Sequence, residues 1–328
     1  MSVKSQVLNL FKVSKELSVK EIVDKLNASK QMVHIVLNQL IEDKTVEKLG
    51  RAPKTVYRLI EARPKTAELA VREIPEKDGE FLKKNFLAVT ETGNLLEGSE
   101  AFDNWCKQRK LPVLKALSKF IDTKKKYQPY YDDQGNINGL EKLKDTKGYE
   151  TIWVDDLYYL DFYAIERFGK TRLGVLLHYG KQGQNKYLME IMMREVAERV
   201  HSFVAMHDAD AVGFVPPTIR REVQIMKYIQ TRLNIALPVI DIKKLSGIIP
   251  VPQKSLSKLD ERIRNAENTF AVTDQRKFKN VILIDDAVGS GSTLNQIAGK
   301  IKNKEVAKKV IGLAIVGSFK GFDVITDV

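Results

Sequence analysis

Val281-Ile282-Leu283-Ile284-Asp285-Asp286-Ala287-Val288-Gly289-Ser290-Gly291-Ser292-Thr293-Leu294 is the stretch on which the fold turns. Its four leading apolar residues read as a strand of the fully buried type, too short for a helix and without alternation. Two carboxylates stand at the carboxyl end, and a Gly/Ser/Thr turn opens the helix that follows. The N–H groups and hydroxyls of such a turn, with a helix N-terminus behind them, cradle a phosphate dianion. Carboxylates beside it accept hydrogen bonds from vicinal ribose hydroxyls. The plainer reading is an ordinary strand-turn-helix with incidental acids, although two adjacent carboxylates repel unless something uses them.

Spacing separates the phosphate-binding patterns. A P-loop needs Gly-x-x-x-x-Gly-Lys-Ser/Thr, and no lysine follows Gly291. A dinucleotide fingerprint needs Gly-x-Gly-x-x-Gly with its acid about twenty residues later; here the third glycine position holds Leu294 and both acids come first. Outward from this motif, residues from about 170 onward alternate strand and helix. Leu173–His178 is a short apolar run read as a strand, Tyr187–Phe203 a long helix, and Ala211–Val215 a strand stopped by Pro216 and Pro217. Glu222–Leu233 reads as a helix and Val310–Val316 as a second buried strand. The alternation predicts an α/β domain over 169–328, a parallel sheet covered by helices, with ligands bound outside the carboxyl ends of the strands.

The run hydrophobic-hydrophobic-Asp-Asp-x-x-x-Ser-Gly-x-Thr resembles the phosphoribosyl pyrophosphate motif of type I phosphoribosyltransferases. The resemblance narrows upstream. Tyr179-Gly180-Lys181 before a long helix, Val215-Pro216-Pro217 followed by Arg220 and Arg221, and Gln253-Lys254-Ser255-Leu256-Ser257 continuing to Arg262, Asn265 and Phe270 look like the competence protein ComF family over roughly residues 172–328. Two departures stand out. The family's N-terminal four-cysteine zinc module is absent, and its Arg-Gly-Phe-Asn-Gln stretch reads Arg221-Glu222-Val223-Gln224.

That resemblance implies a Rossmann-like phosphoribosyltransferase domain and a set of roles. Asp285 and Asp286 would hold the ribose hydroxyls. Ala287, Val288, Gly289, Ser290, Gly291, Ser292 and Thr293 would form the 5′-phosphate loop. Arg220 and Arg221, with Lys181, would meet the pyrophosphate, and Gln253, Lys254 and Arg262 would sit on a hood over the site. Mg²⁺ would arrive with the ligand near Asp285 and Asp286, without direct ligation by the chain.

Residues 1–62 read as three helices and a hairpin. Ser18 and Glu21 form a capping box before Ile22, Val23 and Leu26; Asn27 and Ala28 make a tight connection; Ser29 caps a helix whose Val33, Val36, Leu37, Leu40 and Ile41 fall on one side. Lys30, Gln31, His34 and Asn38 occupy the other. Thr45–Leu49 and Thr55–Ile60 alternate as strands around a Gly50-Arg51-Ala52-Pro53-Lys54 tip. The segment resembles the winged helix-turn-helix family, which implies DNA binding by Lys30, Gln31, His34 and Asn38 in the major groove and by Arg51 and Lys54 on the backbone or in the minor groove. Protein docking is the alternative use of such a module.

Between these parts, 63–168 reads as a mixed, mostly helical connecting region. Helical spacing surrounds Phe86, Phe102, Trp105 and Leu114, turn formers fill 132–139, and the aromatics of 151–168 read as core rather than as a base-stacking platform. Lys124, Lys125 and Lys126 read as a solvated run. The single cysteine, Cys106, reads as a buried structural thiol.

The 328 residues are enough for about two domains, and 43% hydrophobic with 29% charged residues is ordinary for a globular chain. A net charge of +12 suggests an anionic partner. One cysteine and four scattered histidines exclude disulfide scaffolds and zinc fingers, and no apolar stretch approaches a bilayer span. The expectation is a cytoplasmic protein with no membrane partner. The resemblances imply that it would bind phosphoribosyl pyrophosphate or a related ribose-phosphate ligand, and DNA through the winged helix, with a second copy or an operon-encoded protein as the expected protein partner. Three functions compete: transfer of phosphoribosyl to a nitrogenous acceptor, ligand-sensing transcription regulation without turnover, and service as a subunit of a nucleic-acid-processing or defence complex.

Overall fold

In the computed structural model, residues 3–43, 45–50, 55–60, 74–146, 149–217, 219, 221–245 and 269–318 are described. The chain divides into two units, Met1–Leu69 and Ala70–Val328.

In the first unit, helices α1 (Val3–Val13), α2 (Val19–Leu26) and α3 (Lys30–Glu42) precede the antiparallel strands β1 (Val46–Leu49) and β2 (Val56–Leu59). The local signals act as their chemistry dictates. Ser18 and Glu21 cap α2 reciprocally, the Ser18 N–H donating to Glu21 at 2.7 Å and the Glu21 N–H to Ser18 Oγ at 3.3 Å. Asn27 ends α2 in the left-handed conformation, φ 50°, and Ser29 starts α3 two residues on. Val33, Val36, Leu37 and Leu40 are buried with Val7, Phe11, Ile22, Val46 and Tyr57 in a core of this unit's own. Leu17, between α1 and α2, exchanges backbone hydrogen bonds with Tyr57 at 2.8 and 2.9 Å, adding a one-residue third strand to the hairpin.

The second unit opens with α4 (Glu76–Asn85), the hairpin β3 (Leu87–Val89) and β4 (Leu95–Glu97), α5 (Gly98–Gln108) and α6 (Val113–Tyr127). Then come β5 (Ile137–Asn138), α7 (Leu140–Asp145), β6 (Asp156–Phe162), the small pair β7 (Ala164–Ile165) and β8 (Gly169–Lys170), α8 (Arg172–Gln182) and α9 (Lys186–Met206). The chain continues through β9 (Ala211–Phe214), α10 (Ile225–Leu233), β10 (Ile242–Lys244), β11 (Phe270–Val272), β12 (Phe278–Val288), α11 (Ser292–Asn303) and β13 (Ala307–Gly317). Five strands form the main sheet in the order β5-β6-β13-β12-β9. β6, β13, β12 and β9 run parallel, while the short edge strand β5 is antiparallel to β6. The sheet of this α/β unit is therefore mixed rather than wholly parallel, and two of its strands come from residues before 169.

Both faces of the sheet are covered, which is why Val281–Ile284 of β12 reads as unbroken apolar sequence. Val281 and Leu283 pack on one face with Leu294, Ile297 and Ile301 of α11. Ile282 and Ile284 pack on the other with residues of α8, α9 and α10. Each such side chain, fully withdrawn from water, contributes about 1.5–3 kcal/mol. The Leu173–His178 run is not a strand. It forms the first turns of α8, capped by Thr171, whose Oγ1 accepts from Gly174 N at 3.1 Å. Five successive residues of that helix, Leu173–Leu177, are buried, so the sequence shows no 3.6-residue period there. A Cβ on Gly174 would lie 2.0 Å from the Tyr163 carbonyl oxygen, so only glycine lets α8 approach the end of β6.

The middle aromatics are core, with Phe86, Phe102, Trp105 and Phe120 in edge-on and stacked contacts 5.0–6.0 Å apart. Tyr159, Phe162, Tyr163 and Phe168 are likewise buried. Cys106 is fully buried, and burial pushes its thiol up to about 11, which keeps it protonated and inert. Among the described residues no helix is long and apolar enough to cross a membrane.

Candidate functional site

A cavity of about 190 Å³ opens beyond the carboxyl ends of β9 and β12. Asp285–Leu294 lines it from one side; Lys181, Gln182, Pro216, Arg221 and Met226 close the other. Lys181, Arg221, Asp285, Asp286, Ala287, Val288, Gly289, Ser290, Gly291, Ser292 and Thr293 are thus gathered around one space, although Lys181 and Asp286 lie 105 residues apart. Arg220, Gln253, Lys254 and Arg262 lie outside the described residues, as do Arg51 and Lys54 of the first unit.

β12 does not stop before its acids; it carries them as strand residues, with Asp285 opposite Ala314 and Ala287 opposite Val316. Strand alternation therefore sends the two carboxylates to opposite faces of the sheet and relieves much of the repulsion expected of adjacent acids. Asp286 falls on the side of α8. It is 5% exposed, and its Oδ2 accepts from Lys181 Nζ at the end of that helix. Asp285 is half-buried, and its Oδ1 accepts the Asp286 N–H at 2.8 Å.

Arg221 holds the C-terminus of α8. Nη1 donates to the Lys181 carbonyl, and Nη2 donates to Gln182 Oε1 at 2.8 Å. A guanidinium here satisfies carbonyls that the helix leaves unpaired and lies favourably at the negative end of its dipole. Lys181 is thereby fixed at both ends, the amine on Asp286 and the carbonyl on Arg221.

The turn between β12 and α11 depends on Gly291, which sits at φ 80° and starts the helix without a side chain of its own to cap it, while Ser290 Oγ accepts the Ser292 N–H at 3.4 Å. A Cβ there would also lie 2.8 Å from Leu143 Cδ1. Ser290 Oγ and Ser292 Oγ are 3.0 Å apart. A helix N-terminus with N–H groups and hydroxyls of this kind suits an anion.

A brace that leaves no pattern in the sequence stands behind the loop. Tyr149 Oη donates to the Ser290 carbonyl at 3.0 Å, and Lys142 Nζ to that of Gly289 at 3.4 Å. Burial pushes the Lys142 amine down to about 8. Asn295, wholly buried in α11, accepts the N–H groups of Trp153 and Val154 at 2.6 and 3.3 Å and donates to Thr151 O at 2.9 Å. One local signal existed: Asn295 is a lone amide on the otherwise apolar face of Leu294, Ile297 and Ala298. The partners, more than 140 residues upstream, left no mark near the motif.

In the first unit, Lys30, Gln31, His34 and Asn38 all lie on the exposed side of α3, and Met32 and Ile35 are exposed on the same helix, 47% and 59%. No protein-family model and no curated protein matches the chain.

Proposed function

We propose that the second unit is a ComF-like, Rossmann-like phosphoribosyltransferase domain that binds phosphoribosyl pyrophosphate at the Asp285–Asp286 site, and that the first is a winged helix that binds DNA. One observation carries the reading: a buried strand delivers two carboxylates and a Ser/Gly/Thr turn at a helix N-terminus to the same cavity that Lys181 and Arg221 line.

The chemistry follows from those groups. Gly289–Thr293 holds the 5′-phosphate through N–H groups and hydroxyls. Asp285 and Asp286 accept from the ribose hydroxyls and favour positive charge developing on the sugar as the bond from the anomeric carbon to pyrophosphate breaks, pyrophosphate is released, and a nitrogen of the acceptor bonds to that carbon and gives up its proton to water. Positioning supplies most of the acceleration, so no single general base is required. The oxygen donors at the strand end suit Mg²⁺, and because Asp286 is already paired with Lys181 the site fits a cation carried mainly by the ligand's oxygens. Bound there, Mg²⁺ would neutralise charge on the pyrophosphate.

A second reading, a ligand sensor without turnover, draws on Arg221. Its guanidinium is engaged by the end of α8, so a cation expected on the pyrophosphate is spent on structure. For the first unit, the exposed α3 face and the Leu17–Tyr57 addition to the hairpin support the winged helix. Met32 and Ile35 on that face favour protein docking in a larger complex as its second reading.

Calorimetric titration of phosphoribosyl pyrophosphate with Mg²⁺ into the full chain, beside a pyrophosphate-release assay over purine, pyrimidine and nicotinate-like acceptors, tests these readings. Binding with release makes the protein a transferase, and binding without release makes it a sensor or complex subunit. Absence of binding overturns the site assignment.

A further inference from the structure

Leu160 and Asp161, near the end of β6, line a second cavity of about 790 Å³ with residues of α4, α6 and α9. It is separate from the Asp285–Asp286 site, because β13 lies between β6 and β12 in the sheet. Its volume is that of a site for a nucleotide-sized molecule.

Four cations line it, Lys77, Lys124, Lys125 and Arg199, against two acids, Asp78 and Asp161. Arg199 is half-buried. Its Nη2 donates to the carbonyls of Gly135 and Leu160 at 2.6 and 2.9 Å, which fixes the guanidinium and leaves Nη1 and Nε without an acceptor among the described residues. Burial lowers its affinity for the proton, while Asp161, Tyr131 and Asp132 work the other way. Asp161 is itself engaged, accepting from the Tyr131 hydroxyl and, at 2.8 Å, from the Phe162 N–H. The free side of the fixed guanidinium is open to the cavity, where water or an anion can meet it. Lys124 and Lys125 also have no ion-pair partner among the described residues, whereas Lys126 beside them is paired with Glu166. Phe81 and Ile121 give the same cavity an apolar wall.

The geometry points to a second ligand site, independent of the Asp285–Asp286 site, for an anionic nucleotide whose phosphates meet Lys124, Lys125 and Arg199 and whose base lies against Phe81 and Ile121. The class follows from the combination: four cations against two carboxylates, with Lys124, Lys125 and Arg199 in no ion pair among the described residues, suit phosphate, and an apolar wall next to them suits a flat organic group rather than a bare inorganic ion.

ATP is the probe, titrated by calorimetry into full-length chain carrying Asp285→Asn and Asp286→Asn, so that heat from the first cavity is suppressed. One ATP site is expected to remain. Adding Lys124→Glu and Lys125→Glu is expected to weaken it at least tenfold, while the same charge reversal in the otherwise unaltered chain leaves its melting temperature and its binding of phosphoribosyl pyrophosphate unchanged. Loss of ATP binding in the Asp285→Asn, Asp286→Asn chain overturns the proposal, as does equal affinity after charge reversal. Inorganic triphosphate binding as tightly as ATP removes the base from the site and overturns the nucleotide class. A single-stranded oligonucleotide that binds without competition from ATP turns the surface into a nucleic-acid groove and overturns it too.

Discussion

Lys181 and Asp286 meet at the carboxyl end of β12, the lysine amine donating to a carboxylate that is only 5% exposed. The pair ties the last turn of α8 to the strand that delivers the candidate site, and it balances the more deeply buried of the two acids. Lys181→Met removes the partner and leaves that charge buried, a change that costs roughly 2 kcal/mol when one member of a charge-assisted hydrogen bond is deleted. For a unit of this size a melting temperature lower by about 4–8 °C is expected in calorimetry. Asp286→Asn keeps the shape without the charge and should melt closer to the parent. It should also bind phosphoribosyl pyrophosphate at least tenfold more weakly, and undiminished affinity would remove Asp286 from the ligand site.

The loop brace predicts a stability effect that is remote in sequence. Asn295→Leu is close in size but leaves the N–H groups of Trp153 and Val154 and the Thr151 carbonyl unsatisfied, at about 1–3 kcal/mol for each buried group left unpaired. A melting temperature within 2 °C of the parent would show that the brace contributes nothing.

The contrast between loop and brace shows what the sequence could display. Val281–Ile284 and Val310–Val316 were readable because a strand covered on both faces is apolar at every position, whatever covers it. The turn Gly289–Thr293 was readable because its residue types report their own local chemistry. Leu173–His178 misled for the same reason that β12 did not: burial on nearly all sides erases the helical period as it erases alternation, and the Thr171 cap was the better signal. Lys142, Tyr149 and Asn295 were illegible as a set, since contacts across more than 140 residues leave no periodicity. β6 lay hidden in a segment whose aromatics identified core but not strand.

Gly291 tests the turn itself. Gly291→Ala meets both the left-handed conformation and the Leu143 side chain 2.8 Å away. Adding Leu143→Ala removes the clash but not the backbone strain. The double variant is therefore expected to recover only part of the lost affinity for phosphoribosyl pyrophosphate in calorimetry, and full recovery would show that the conformation at Gly291 is immaterial.

Lys142 gives a pH dependence of definite sign. Burial pushes its amine from 10.5 down to about 8, so between about pH 8 and 10.5 the unfolded chain holds a proton that the folded one has released. Stability rises with pH wherever the unfolded state binds more protons, so the cost of burying this amine is fully present below pH 8 and relieved toward pH 10.5. Lys142→Met is expected to stabilise the chain at pH 7, on the order of 2 kcal/mol, with the gain shrinking as pH rises to 10. Melting curves of the two proteins at pH 7 and pH 10 decide it; a constant difference would mean that the amine is solvated.

The exposed face of α3 carries the last prediction. If Lys30 meets a phosphate, Lys30→Ala should weaken duplex binding for all sequences alike and reduce the slope of log affinity against log salt by about 1, because one fewer counterion is released. If Asn38 reads a base edge, Asn38→Ala should cost about 1–3 kcal/mol on the preferred site and little on random duplex. The two variants separate the uses of this surface. A docking face centred on Met32 and Ile35 would be insensitive to salt and to Lys30. It would lose its partner on Ile35→Glu, a change that duplex binding read by Lys30 and Asn38 should feel chiefly through added negative charge. Fluorescence anisotropy of duplexes across a salt series, run on the three variants, decides between them. An unchanged salt slope in Lys30→Ala together with loss of self-association or partner capture in Ile35→Glu would remove DNA from this face.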